Sequence, residues 1–307
     1  DAQESRGLGD VYKRQEIELD YNAFKNKDWS VSVGANATFV KNKIKNLPAT
    51  MKENGYISGS KKWLEGKSIY EFWLRQWHGV DPQTGDGLYV ADVSKYNQGN
   101  IGTGDGNITQ SQFDEYKKTV VTIDGKELTN SYTYAKYDFS GSSIPDVYGG
   151  FNVRVSYKNF DLAAVFSYQL GGQILDTNYA TMMSMTEFGY AQSPDLLKAW
   201  KQAGDITEVP RIDNSAAHTT NIGQSYSTRW LTSSDYLNLR SVTIGYQLPK
   251  TWLSKVMLKS ARLNLTAENL FMLKARQGLN PMANYSGVTY NEYMPSRNIT
   301  LGLNVSF

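Results

Sequence analysis

Apolar and polar residues alternate over long stretches of this chain, and a period of two predicts β-strands. In the closing stretch "ITLGLNVSF", Ile299, Leu301, Leu303, Val305 and Phe307 fall on one side. Thr300, Gly302, Asn304 and Ser306 fall on the other. "WSVSVGANATFV" places Trp29, Val31, Val33 and Phe39 opposite Ser30, Ser32, Asn36 and Thr38. "FNVRVSY" and "FDLAAVFSYQL" repeat the theme on either side of Lys158-Asn159, and "ARLNLTAENL" repeats it again. Glu16 to Tyr21 reads as a further strand. In "YLNLRSVTIGYQL" the phase changes: Leu237 and Leu239 share one side, then Val242, Ile244, Tyr246 and Leu248 the other. One extra residue near Arg240-Ser241, a β-bulge, reconciles the two.

The connections alternate in length. Those after Tyr21, after Tyr157 and across "PKTWLSKVMLKS" are short. Those from Val40 to Tyr148, Gly172 to Trp230 and Lys274 to Pro295 are long. A compact soluble sheet rarely carries such loops, whereas an outer-membrane barrel has short periplasmic turns and long outer loops. The expected fold is therefore all-β, part of a large antiparallel transmembrane β-barrel with long extracellular loops. Counting strands by parity brings the C-terminus to the periplasmic side. Within residues 68–95, "SIYEFWLRQWHGV" and "GLYVADV" fit either two wall strands or a hairpin in the loops, and parity does not choose. "VVTIDGKELT" reads as a hairpin through Asp124-Gly125. "SPDLLKAWKQAG" predicts a helix with Ser193 as N-cap and Pro194 in its first turn.

Composition narrows the functions. The 307 residues carry 32 basic and 30 acidic side chains, a net charge of +2, which supplies no basic face for nucleic acid. There is no cysteine, and mean hydropathy is −0.49. No apolar run approaches the ~20 residues of a spanning helix, but a barrel strand needs only ~9–11 and alternates its faces. His78 and His218 lack metal-ligand spacing, and no G-x-S-x-G elbow occurs. "GTGDGNIT" reads as a plain turn ahead of a calcium loop. The reading is not an enzyme, with no catalytic residue, metal or cofactor expected. Residues 1–15 match no strand pattern and read as an unmatched leader, either foreign to the rest or an ordinary divergent loop; the start has neither an initiator Met nor an export signal.

Several stretches in order resemble the SusC/RagA type of TonB-linked (TonB-dependent) outer-membrane proteins of Bacteroidetes. They are "WHGVDPQTGDGLYV", "PDVYGGFNVRVSYKNFDLAAVFSYQLGGQI", "DYLNLRSVTIGYQLP", "ARLNLTAENLF" and "RNITLGLNVSF". The resemblance covers residues 16–307 and implies the C-terminal portion of a longer receptor. Such receptors carry an export signal, an N-terminal plug that contacts TonB, and a barrel of about 22 strands. It implies an outer-membrane location, import of an oligosaccharide or a peptide, and a SusD-like surface lipoprotein over the outer loops. The closing strand, with Leu301, Leu303, Val305 and Phe307, is the signal read by the barrel-assembly machinery in such proteins. Its aromatic end belongs at a membrane interface. Two other classes stay open: a barrel-borne adhesin or enzyme acting through its loops, and a soluble glycan-binding β-sandwich.

Aromatic residues in the long connections are the candidate ligand contacts: Trp73, Trp77, Tyr89, Tyr179, Trp200, Tyr226, Tyr285 and Tyr290. Flat rings stack on sugars and peptides, and the same rings also serve as girdle anchors or loop packing. Trp29, Tyr157, Tyr168 and Tyr246 are expected in the wall or its girdles. Asn36, Arg154, Gln169, Arg262, Asn264 and Glu268 are expected on its polar, lumen-facing side.

Overall fold

Seven long strands lie side by side in chain order in the computed structural model, which describes residues 9–185, 189, 191–223, 226–253, 258–282, 285–290 and 292–307. They are β1 (Gly9–Lys25), β2 (Trp29–Asn46), β3 (Val147–Tyr157), β4 (Phe160–Leu170), β5 (Tyr236–Gln247), β6 (Ser260–Glu268) and β7 (Asn298–Ser306). Every neighbouring pair is antiparallel. After a break at Asn269 (φ 51°), the short strand Met272–Lys274 runs along the start of β5. β1 and β7 form the two edges of the described sheet, which is open.

In antiparallel register, directly opposed residues share a face. One row therefore runs Trp29, Tyr157, Phe160, Tyr246, Leu263, Leu303 across β2 to β7. The next is Val31, Val155, Leu162, Ile244, Leu265, Leu301, and the third is Val33, Val153, Ala164, Val242, Ala267, Ile299. Tyr21 of β1 joins the third row opposite Val33. The intervening rows hold Ser30, Ser156, Asp161, Gly245, Asn264, Gly302 and Ser32, Arg154, Ala163, Thr243, Thr266, Thr300. One face is greasy and uncovered: Ile299 and Leu301 are each 69% exposed. The other is tied by polar contacts. Arg262 donates to Asp161 at 2.6 Å and to Asn264 at 2.7 Å, and the Thr243 and Thr266 hydroxyls meet at 3.0 Å. Gly245 leaves room for that ion pair; a Cβ there would stand 2.7 Å from both Asp161 carboxylate oxygens.

The phase change in β5 is the expected bulge: Val165 faces Ser241 and Phe166 faces Leu239, which leaves Arg240 as the extra residue. β1 begins earlier than alternation predicts. Gly9 to Gln15 pair with Asn46 to Phe39, although Arg14 and Gln15 interrupt the pattern. Pairing to β2 decides their conformation, and Arg14 and Glu16 form an ion pair there. β2 itself continues past Val40 to Asn46.

The turns after β1, β3 and β5 are short and lie at one end of the sheet; the chain between β2 and β3, β4 and β5, and β6 and β7 is long and lies at the other. The β3–β4 hairpin turns on Lys158 (φ 51°) and Asn159. The long connections build their own small sheets. Tyr137–Ser142, Glu71–Arg75, Lys61–Trp63 and Tyr56–Ser58 form one; Trp77–Val80, Gly87–Val90, Lys126–Thr129 and Val120–Ile123 form another. The stretch 68–95 thus lies in the connections, outside the seven-strand sheet. The hairpin at Asp124-Gly125 forms as expected, with φ 50° and 74° at the two turn residues. Helix α1 (Gln110–Thr119) opens with a reciprocal Thr109–Gln112 capping box. The helix expected at Ser193 is only a 3₁₀ turn, Pro194–Lys198: Ala199 leaves in an extended conformation (ψ 148°), and no i→i+4 ladder follows. The main core lies among these connections, around Phe72, Leu74, Leu175, Val209, Trp230 and Val288.

Candidate functional site

The eight candidate aromatics separate into three situations. Tyr226, Tyr285 and Tyr290 are exposed, at 42%, 48% and 69%. Tyr285 also meets the Tyr70 ring edge-on at 5.3 Å. Trp73, Trp77, Tyr179 and Trp200 are half-buried and already engaged. Trp73 lies against Phe139 and Tyr137, with the Lys62 ammonium 4.3 Å from its ring centre. Trp200 donates its indole N–H to the Pro82 carbonyl at 3.0 Å and covers Gly85, where a Cβ would stand 2.5 Å from the ring. Tyr89 corrects the expectation: it is fully buried, and its hydroxyl donates to the Asn221 carbonyl at 2.7 Å. Burial pushes that hydroxyl above the ordinary phenol range, so it is a core residue with no face for a ligand.

Two of the eight, Trp77 and Tyr179, come together on a cavity of about 350 Å³. Trp77 is brought there by the short strand Trp77–Val80, whose first N–H donates to the Thr228 hydroxyl at 2.9 Å. Tyr179 stands in a short helix, Thr177–Met182, capped by the buried Asp176. Its hydroxyl donates to Asp195 at 2.8 Å. Burial and that bond raise the Tyr179 pKa, and Lys198 followed by Tyr179 hold Asp195 low.

Two arginines that the sequence pattern did not single out complete the cavity. Arg229 lies against two rings, 4.3 Å from the centre of Trp230 and 4.7 Å from that of Trp77. It spends one N–H on the Ile222 carbonyl at 3.2 Å. Among the described residues no carboxylate forms an ion pair with it. Burial lowers its pKa to about 10, which leaves it charged at neutral pH. Arg276 covers the Tyr179 ring at 3.6 Å and is held by Asp176 at 3.1 Å. His78 and Glu208 are exposed on the same cavity. Nothing in the spacing of these residues marks them: 77, 179, 229 and 276 lie on four separate segments that only the fold unites. The one local signal is the adjacency of Arg229 and Trp230, which permits a cation–π contact.

The remaining candidates take other places. Leu301, Leu303 and Val305 lie on the apolar face of β7, and Phe307 is 79% exposed beyond it. Asn36 accepts the Gly150 N–H at 3.0 Å and Gln169 donates to Ser234 at 2.8 Å. His218 is buried, 2.8 Å from the Arg211 carbonyl. The Gly102–Thr109 segment is a turn closed by an Ile101–Ile108 bridge. Among the described residues no three His, Asp or Glu side chains group to hold a metal.

No family model matches the chain. TonB-dependent receptor P3 of Formosa agariphila is 26% identical to it over 313 residues, covering 96% of this chain and 28% of that receptor. Receptor P39 of the same organism is 24% identical over 341 residues, covering 95% and 31%. The chain thus spans under a third of the length of the curated relatives it matches. Among solved structures, a chain of the RagAB peptide transporter superposes with a TM-score of 0.71 at 22% identity, covering 96% of this chain and 29% of the other. A chain of the RagAB peptide importer in the closed-closed state gives 0.74 at 23%, covering 98% and 30%. These likenesses show the fold: the antiparallel sheet and its connections correspond to part of those chains. The chain is similar over nearly its whole length to TonB-dependent receptors, which are outer-membrane proteins.

Proposed function

We propose that this chain forms the C-terminal stretch of wall and outer loops in a TonB-dependent importer for a peptide or an oligosaccharide. The carrying observation is the sheet itself. Three apolar rows cross β2 to β7 unbroken by any charge, on a face left uncovered, while the opposite face carries Arg154, Asp161 and Arg262. Lipid on one side and water on the other account for that contrast. The row Trp29, Tyr157, Phe160, Tyr246 then forms the periplasmic girdle, with ring centres 4.3 Å and 4.4 Å apart in its two close pairs. Unpaired edges are not tolerated in hydrocarbon, so β1 and β7 meet further strands of a complete barrel.

In this reading the folded connections face outward and capture the ligand under a SusD-like surface lipoprotein. TonB supplies energy through a plug outside this chain, and the barrel-assembly machinery reads β7 and Phe307. Gly9 to Gln15, which the strand pattern sets apart as a leader, pair with β2 and belong to the same wall in this reading. No bond is made or broken; the work is binding, gating and passage. The RagAB relatives, whose names state peptide transport, favour a peptide. Deleting the gene that encodes this chain in its host is expected to abolish energy-dependent uptake of a labelled peptide mixture or a labelled oligosaccharide mixture. Restoring it with Trp77→Ala is expected to return less than half of that uptake. Full uptake of both mixtures in the deletion strain would contradict the reading.

A further inference from the structure

Resting on the import reading above, we propose that the cavity between Trp77, Tyr179, Arg229 and Arg276 is a carboxylate-binding subsite, and that its occupant is a short peptide held through its C-terminal carboxylate. A guanidinium has five donors in a planar fork suited to a carboxylate. In Arg229 one donor is used on the Ile222 carbonyl, and no acidic side chain among the described residues answers the charge. A half-buried cation packed against two indoles is costly to keep unless an anion arrives. Its surroundings strengthen such an anion's binding, because rings exclude water and lower the local dielectric. Burial also depresses the Arg229 pKa, the direction expected for a charge without a partner.

Arg276, whose charge Asp176 already answers, supplies further N–H donors. Asp176 and the Tyr179 ring fix its guanidinium, so little side-chain entropy remains to be lost on binding. The buried Asp176 also accepts the Tyr179 N–H at 3.0 Å and the Thr289 hydroxyl at 3.4 Å, which ties this side of the cavity to the loop core. Against these cations stands one exposed acid, Glu208. The unanswered Arg229, the donors of Arg276 and one acid match a ligand that carries both a carboxylate and N–H donors, as a peptide end does. A neutral sugar is a poorer match. It needs an open ring face, and Trp73, Trp77 and Trp200 are each covered by a cation, a ring or backbone.

The test uses the complete receptor, with its partner lipoprotein, purified in detergent and titrated calorimetrically. The first probe is a mixture of random hexapeptides made without Asp or Glu, with free C-termini. The second is the same mixture amidated at the C-terminus, and the third is trigalacturonate. The free acids are expected to bind at least tenfold more tightly than the amides, the range for charge-assisted bonds to one ionic group. Arg229→Gln is expected to reduce acid binding to the amide level, and Arg229→Lys to give an intermediate value, since a point charge lacks the fork. Assembly of each variant is checked by heat-modifiable migration. If Arg229→Gln does not assemble, the acid–amide comparison on the wild type decides. Equal binding of acids and amides overturns the subsite while leaving import intact, as does acid binding that Arg229→Gln leaves unchanged. Tight trigalacturonate binding without peptide binding overturns the peptide occupant. Import itself fails only through the uptake experiment.

Discussion

Tyr89 and Arg229 show how far single residues can be read from a sequence. Both belong to long connections, where no period sorts buried from exposed positions. Tyr89 was a reasonable ligand candidate because it is an aromatic in a loop segment; the fold turns it inward onto the Asn221 carbonyl. Removing only its hydroxyl tests that assignment. Tyr89→Phe leaves the Asn221 carbonyl without its donor, at a cost of about 1–3 kcal/mol. Limited proteolysis of the complete receptor is expected to cut the loops several-fold faster, with ligand affinity unchanged. A loss of affinity without faster cleavage would return Tyr89 to the binding surface. Arg229 was invisible for the converse reason. Its importance comes from contacts with Trp77 and from the lack of an acidic partner, and neither has a local signature.

At the scale of elements, alternation was a dependable guide wherever one face is apolar. It marked β2 to β7, the β3–β4 hairpin and the bulge in β5. It did not mark Gly9 to Gln15, where polar residues fall at both odd and even positions and the pairing to β2 settles the conformation. The segment after Ser193 carries helix-start signals, yet a few residues of propensity do not nucleate a stable helix without packing, and Trp200 is drawn to Pro82 instead. The bulge yields the sharpest prediction here. A one-residue slip moves every side chain to the other face. Deleting Arg240, by contrast, removes the extra residue and leaves Leu237, Leu239, Val242, Ile244 and Tyr246 in one alternation opposite β4. The deletion and Arg240→Ala are therefore both expected to assemble, read as heat-modifiable migration. Failure of the deletion alone would mean that the bulge does more than reconcile the two phases.

For the molecule as a whole, the organisation inverts that of a soluble protein. The buried core lies in the connections around Phe72, Leu175 and Trp230, and the regular sheet leaves its greasiest face uncovered. The sequence carried this arrangement in the length of its connections and in the phase of its strands, because a sheet with one apolar and one polar face has a period of two. It carried little about how the connections fold among themselves, since those contacts join segments far apart in the chain, such as Trp77 and Thr228 with a separation of 151. The account depends most on the direction in which the two faces look. The chain has no cysteine to replace, so single spin labels can be placed in the complete receptor at V153C, L265C and L301C on one face and at R154C and N264C on the other. In a bilayer, the first three labels are expected to be more accessible to dissolved oxygen than to a water-soluble nickel chelate, and the last two the reverse. Equal accessibility at all five positions, or chelate preference at Val153, Leu265 and Leu301, would contradict a membrane wall.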